Sequence, residues 1–142
     1  MGIEEDKANV VTLIEDFLGK GDFSTLERLA MPDFVDHNVP QGMPGGMAGA
    51  KMMVQNIRTG FPDFKVEVED AVAEGDRVAV RITASGTHTG MLFNVPPTGK
   101  HAKWAEIHIA RVKNGRMVEH WFVADIMSMM RQLGLMPSPP QH

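Results

Sequence analysis

The side-chain period changes once along this chain, near Phe64, and that switch limits the folds open to it. Before Phe64, apolar residues recur at three- and four-residue steps. Val10, Leu13, Ile14, Phe17 and Leu18 form one such stripe, and Met53, Val54 and Ile57 form another. After Phe64 the period is two, over strand-like runs near 64–74, 76–89, 101–113 and 115–124. Helices first and a run of strands afterwards means an α+β fold. A long antiparallel sheet needs one face covered. About three N-terminal helices are there to cover it, and what they cannot fill becomes a cavity.

Turn residues divide the two halves. Gly19 and Gly21 stop the first helix. Ser24-Thr25-Leu26-Glu27 reads as a capping box, so a short helix is expected to start at Ser24, and Pro32 limits it. Residues 34–38 read as a short extended piece, and 41–49 as a Gly/Met/Pro loop. A third helix is expected over about 50–59. Among the strands, Gly75-Asp76 fits a tight hairpin, and Asn114-Gly115 is the strongest hairpin signal in the chain. Pro96 and Pro97 exclude residues 91–100 from a central strand. A closing helix is expected over 126–133, ended by Gly134. The organisation that follows is one domain over 1–136 and a flexible tail over 137–142.

Composition removes several function classes. Fourteen basic against eighteen acidic residues, with no Lys/Arg cluster, speak against nucleic-acid binding. No apolar run reaches the length of a membrane span. The acidic start, Met1 to Lys7, does not resemble a leader, so the expected location is the cytoplasm. The chain has no cysteine, hence no disulfide, zinc-thiolate site or Cys nucleophile. No His pair has metal-ligand spacing, and Thr98-Gly99-Lys100 lacks the upstream glycine of a phosphate loop. No metal and no cofactor are expected. None of Ser24, Ser85, Ser128 and Ser138 sits in a nucleophile elbow.

The last two long strands carry the chemistry. Trp104, Glu106, His108 and Ala110 share one face of the first. Glu119, Trp121, Val123 and Asp125 share a face of the second, opposite His120 and Phe122. A face combining Trp104, Glu106, His108, Trp121 and Asp125 mixes aromatic walls with ionisable groups, as a small-molecule pocket requires. A dimer interface can look the same, and both faces are half apolar. Two roles fit Asp125: general base in an apolar cavity, or N-cap of the closing helix. His37, in Asp36-His37-Asn38, can bond a substrate oxygen or simply form a turn. His108 can tune Glu106 or Asp125, or be an ordinary sheet histidine. His120 reads as structural or interfacial, and His88 as a turn residue. The methionines near the third and last helices, Met53 and Met129 among them, read mainly as core, with an adaptable cavity lining as the other option.

Several motifs in order resemble one family. They are Asp36-His37-Asn38, Phe61-Pro62-Asp63, Glu74 to Arg81, Ser85 to Gly90, Pro96 to Lys100, Gly115 to Trp121, Asp125, and Gln132-Leu133-Gly134. Together they cover nearly the whole chain and resemble the SnoaL-like polyketide cyclases, of the nuclear-transport-factor-like superfamily. The resemblance implies a cone, in which a curved antiparallel sheet wraps around the helices and leaves a pocket at its open end. It implies homodimers formed through the sheet. It also implies cofactor-free intramolecular aldol cyclisation of a small hydrophobic carbonyl compound, with an aspartate at the motif position of Asp125 as general acid/base. His37 and the strand of Glu106 and His108 would lie along the pocket, and Trp104 and Trp121 would wall it. The fold also hosts other chemistry. Epoxide or ester hydrolysis would use Glu106 and Arg81, isomerisation needs only acid/base groups, and a non-catalytic ligand-binding protein would need neither. The chain has no tyrosine to donate to an oxyanion.

Overall fold

The computed structural model describes residues 2–39 and 41–137; of the expected loose tail, residues 138–142 lie outside the described residues. Helix α1 spans Ile3–Thr12 and continues through a π-helical turn over Leu13–Leu18. Helix α2 spans Phe23–Leu29. Its cap is Asp22 and not Ser24. The Asp22 carboxylate accepts the Ser24 N–H at 3.1 Å and the Ser24 hydroxyl at 2.6 Å, so Ser24 donates to the cap.

Strand β1 runs over Ala30–Asp36; it takes in residues 34–36 of the extended piece expected over 34–38, and residues 37–38 form a turn. Helix α3, Gly46–Gly60, begins four residues earlier than the apolar pattern indicated. The strands β2 (Lys65–Glu74), β3 (Arg77–Thr87), β4 (His101–Lys113) and β5 (Arg116–Ala124) follow, and α4, Ile126–Gln132, closes the chain. Asn114 and Gly115 both take positive φ in the β4–β5 turn, at 53° and 77°.

The sheet order is β1-β5-β4-β3-β2. Strands β2 to β5 form an antiparallel meander, and β1 adds to β5 in parallel, so the sheet is mixed. Pro32 is tolerated because β1 is an edge strand. Period-two alternation makes one face apolar: Val78, Val80, Ile82 and Ala84 of β3 are all but completely buried. The stripe of α1, Val10, Leu13, Ile14 and Phe17, packs on that face with Leu26, Leu29, Phe34 and Val54. Each such side chain contributes about 1.5–3 kcal/mol through burial. A second cluster, with Phe61, Phe64, Leu92, Trp104, Met129 and Leu133, closes the other end of the sheet. The two clusters leave a cavity between them.

Candidate active site

The β4–β5 hairpin decides which side chains enter that cavity. Val112 pairs with Met117, as a two-residue turn demands, but Arg111 pairs with Glu119. Val118 is therefore an extra residue, a β-bulge. In an unbulged ladder Trp121 would lie opposite His108, and Asp125 opposite Trp104. With the bulge, Phe122 lies opposite His108, His120 opposite Ala110 and Ala124 opposite Glu106. A one-residue slip exchanges the two faces of a strand. The face expected from simple alternation is corrected accordingly: His120 and Phe122 point inward with Glu106 and His108, and Trp121 points outward.

The cavity has a volume of about 410 Å3, within the range of small-molecule sites. Its walls are mostly aliphatic and aromatic, and Met53, Met129 and Met130 contribute to them. The ionisable residues in its lining are Asp36, Glu106, His108 and His120, with Asn38 beside them. They are joined in series. The Asp36 Oδ1 to His120 Nδ1 distance is 3.3 Å, His120 Nε2 to His108 Nδ1 is 3.0 Å, and His108 Nε2 to Glu106 Oε1 is 2.7 Å. The Trp104 indole N–H donates to Glu106 Oε2 at 2.7 Å and ends the chain. Phe122 stacks on His108 with ring centroids 5.0 Å apart and planes 8° from parallel. The arrangement is linear: each imidazole nitrogen already faces a protein partner.

The termini of β1 and β5 hold this chain in place. The end of β1 is fastened to β5 by the His37 N–H donating to the His120 carbonyl and by the Phe122 N–H donating to Asn38 Oδ1. Asp36 Oδ1 also accepts the Asn38 N–H, in an Asx turn. Burial pushes the Asp36 carboxyl upward, but its hydrogen bond to His120, the imidazole charge and the Asn38 N–H outweigh it and leave it below the ordinary aspartate value. Burial lowers His108, and the Glu106 carboxylate only partly opposes that.

Of the residues singled out in the sequence, Trp104, Glu106 and His108 meet in the cavity. The other three lie outside it. Asp125 is exposed, does not line the cavity, and accepts the Ser128 N–H at 3.1 Å as the N-cap of α4. His37 lies on the outer face, where it bonds Glu119 at 2.7 Å and stacks on Trp121 at 4.7 Å. Trp121 is held there between His37 and Arg77. Arg81, a partner for the hydrolytic reading, pairs with Asp70 on the exposed face of β3. His88 is fully buried, with Nδ1 facing the Thr98 N–H and hydroxyl. Asp36, His120 and Asn38 are the site residues that alternation alone did not single out. The signal that finds them is the β1–β5 pairing together with the bulge.

The profile of the SnoaL-like polyketide cyclases matches residues 8–133. The chain belongs to this family. Nogalonic acid methyl ester cyclase of Streptomyces nogalater is 26% identical over 105 residues, 72% of this chain and 78% of that protein. Aklanonic acid methyl ester cyclase DnrD of Streptomyces peucetius is 29% identical over 105 residues, 72% of this chain and 70% of that protein. Among solved structures, IdmH of Streptomyces antibioticus, a proposed polyketide cyclase, superposes with a TM-score of 0.80 and 34% identity, over 91% of this chain and 98% of that one. AclR of Streptomyces galilaeus, a proposed hydroxylase, gives 0.84 and 30% over 99% and 91%. The two solved structures are thus described with different chemistries. Among the described residues no helix of this family member is long and apolar enough to cross a membrane.

The lowered His108 has a consequence for stability. An unfolded histidine takes up its proton near 6.5, whereas the folded His108 stays neutral to lower pH. The unfolded state then binds more protons, so stability is full above about 6.5 and falls as the pH drops from there toward the lowered folded value. The urea midpoint should decline between pH 7 and 5, and less steeply in His108→Asn; equal slopes in the two proteins would contradict it.

Proposed function

We propose that this chain is a cofactor-free acid/base enzyme of the cyclase type, which closes a ring by intramolecular aldol addition in a small, neutral, hydrophobic carbonyl compound. The observation that carries the reading is the hydrogen-bonded series Asp36–His120–His108–Glu106 set in an otherwise apolar cavity. Among the described residues two carboxylates and no Lys or Arg line the cavity, so a free acid meets like charge there and an ester does not. The two related cyclases described above are named for methyl esters, in keeping with that preference.

Asp36 is the group placed to react. Its Oδ1 is committed to His120 and the Asn38 N–H, and its Oδ2 has no partner among the described residues. In the reaction, Oδ2 takes the proton from a carbon flanked by carbonyls. The enolate carbon then attacks the second carbonyl, and the new alkoxide recovers the proton from the Asp36 carboxyl. One C–H bond and the π bond of the attacked carbonyl break, one C–C and one O–H bond form, and no other reactant is consumed. Asn38 spends its Oδ1 on the Phe122 N–H, which leaves its Nδ2 hydrogens for the substrate oxygen that becomes negative. That supplies the donor that the missing tyrosines cannot.

Solvent-deuterium exchange into a β-keto ester, followed by NMR, tests this reading. The native protein should accelerate exchange, Asp36→Asn should lose about 10²-fold or more of it, and Asp125→Asn, which keeps a capping oxygen, should match native. Exchange that survives in Asp36→Asn and disappears in Asp125→Asn would overturn the assignment. No acceleration by native protein, with the ester still bound, would leave ligand binding as the function.

We also propose that two copies pair through the outer sheet face. Ile107 and Val123 lie opposite each other there and are 46% and 76% exposed, beside the half-buried Ile109 and Trp121. Sedimentation should give a dimer for the native chain and a monomer for Val123→Glu; a monomeric native chain would refute the pairing.

A further inference from the structure

The series of hydrogen bonds in the cavity fixes its proton count. The three links, Asp36–His120, His120–His108 and His108–Glu106, each need one proton. A link with none sets two lone pairs against each other, and a link with two sets two hydrogens against each other. Three links therefore need three protons. Two neutral imidazoles and two carboxylates supply two. We infer that the resting site holds a third proton, carries a net charge of −1 and not −2, and keeps that proton in the Asp36–His120 link.

The location follows from the far end of the chain. Glu106 Oε2 accepts the Trp104 indole N–H, and its Oε1 lies 2.7 Å from His108 Nε2. The carboxylate form of Glu106 can only accept, so in the 2.7 Å link the one hydrogen of a neutral His108 sits on Nε2 and faces Glu106. Its Nδ1 must then accept, and the His120 Nε2–H is the donor. The proton left over lies between His120 Nδ1 and Asp36 Oδ1. No other ionisable side chain lines the cavity among the described residues, so no neighbouring charge offsets this count.

The site is thereby both a base and an acid. Asp36 Oδ2 is free to receive a proton, while the shared proton next to it keeps the charge beside a forming enolate at −1. Glu106 and Trp104 act as positioning residues. They touch the reacting groups only through His108, and the Glu106 charge makes the third proton harder to lose. The catalytic consequence rests on the acid/base reading above; the proton count itself does not.

Nitrogen-15 NMR of the imidazoles in the native protein at neutral pH reads the count directly. The expected spectrum shows His120 protonated on both nitrogens and His108 protonated on Nε2 alone. Two singly protonated imidazoles with ionised carboxylates, or a His108 protonated on Nδ1 alone, would overturn the inference. For Glu106→Gln, the alkaline limb of deuterium exchange into a β-keto ester should move down by about one pH unit with KM unchanged. A limb that stays in place contradicts the positioning role. If native protein promotes no exchange at all, the acid/base reading fails, and the NMR result still decides the proton count.

Discussion

The ladder between β4 and β5 slips by one residue at Val118. A strand alternates its side chains strictly, so one unpaired residue near the turn exchanges the faces of everything beyond it. His120 and Phe122 then turn toward the helices, and Trp121 and Val123 turn away. The parallel edge strand β1 pairs Val35 and Asp36 with Glu119 and His120, so its end follows the same choice. Asp36 reaches His120 inside, and His37 reaches Glu119 and Trp121 outside. Asp36, Asn38 and His120 enter the site through that register, and they meet Glu106 and His108 of the regular strand β4.

A buried polar series is costly unless each member is satisfied. Here the Trp104 indole, two carboxylates and two imidazoles answer one another without a gap. The Phe122 ring lies flat on His108 and close to His120, which restricts both imidazoles to the orientation the links require. The same closure explains why the groups do not converge on a point: every nitrogen is already engaged. Removing one partner leaves the others buried and unpaired, so the cost spreads along the series and beyond the deleted contact.

Much of the fold was legible in the residues. The change of period at Phe64, the Asn114-Gly115 turn and Gly134 mark elements that the structure places within a residue or two. Trp104, Glu106 and His108 were recognisable because β4 is regular and its inner face is fully buried. The other half of the site was hidden for physical reasons. Both faces of β5 are half apolar, so hydrophobicity does not expose a bulge there. Asp36 and His37 are adjacent, and only the pairing of β1 with β5 tells which of them faces inward. At α2, Ser24 had the right composition for a cap, but the Asp22 carboxylate is the stronger acceptor one turn edge earlier. Asp125 accepts the Ser128 N–H as the cap of α4 and lies outside the cavity lining.

A crystal structure with a stable 1,3-diketone bound in place of the substrate tests the whole account at once. The ligand is predicted inside the cavity, with its central carbon against Asp36 Oδ2, an oxygen near Asn38 Nδ2, and His120 within hydrogen-bonding distance of His108. A ligand bound against Trp121 and His37 on the outer face, or a β5 in which Trp121 and Asp125 point inward, would contradict it.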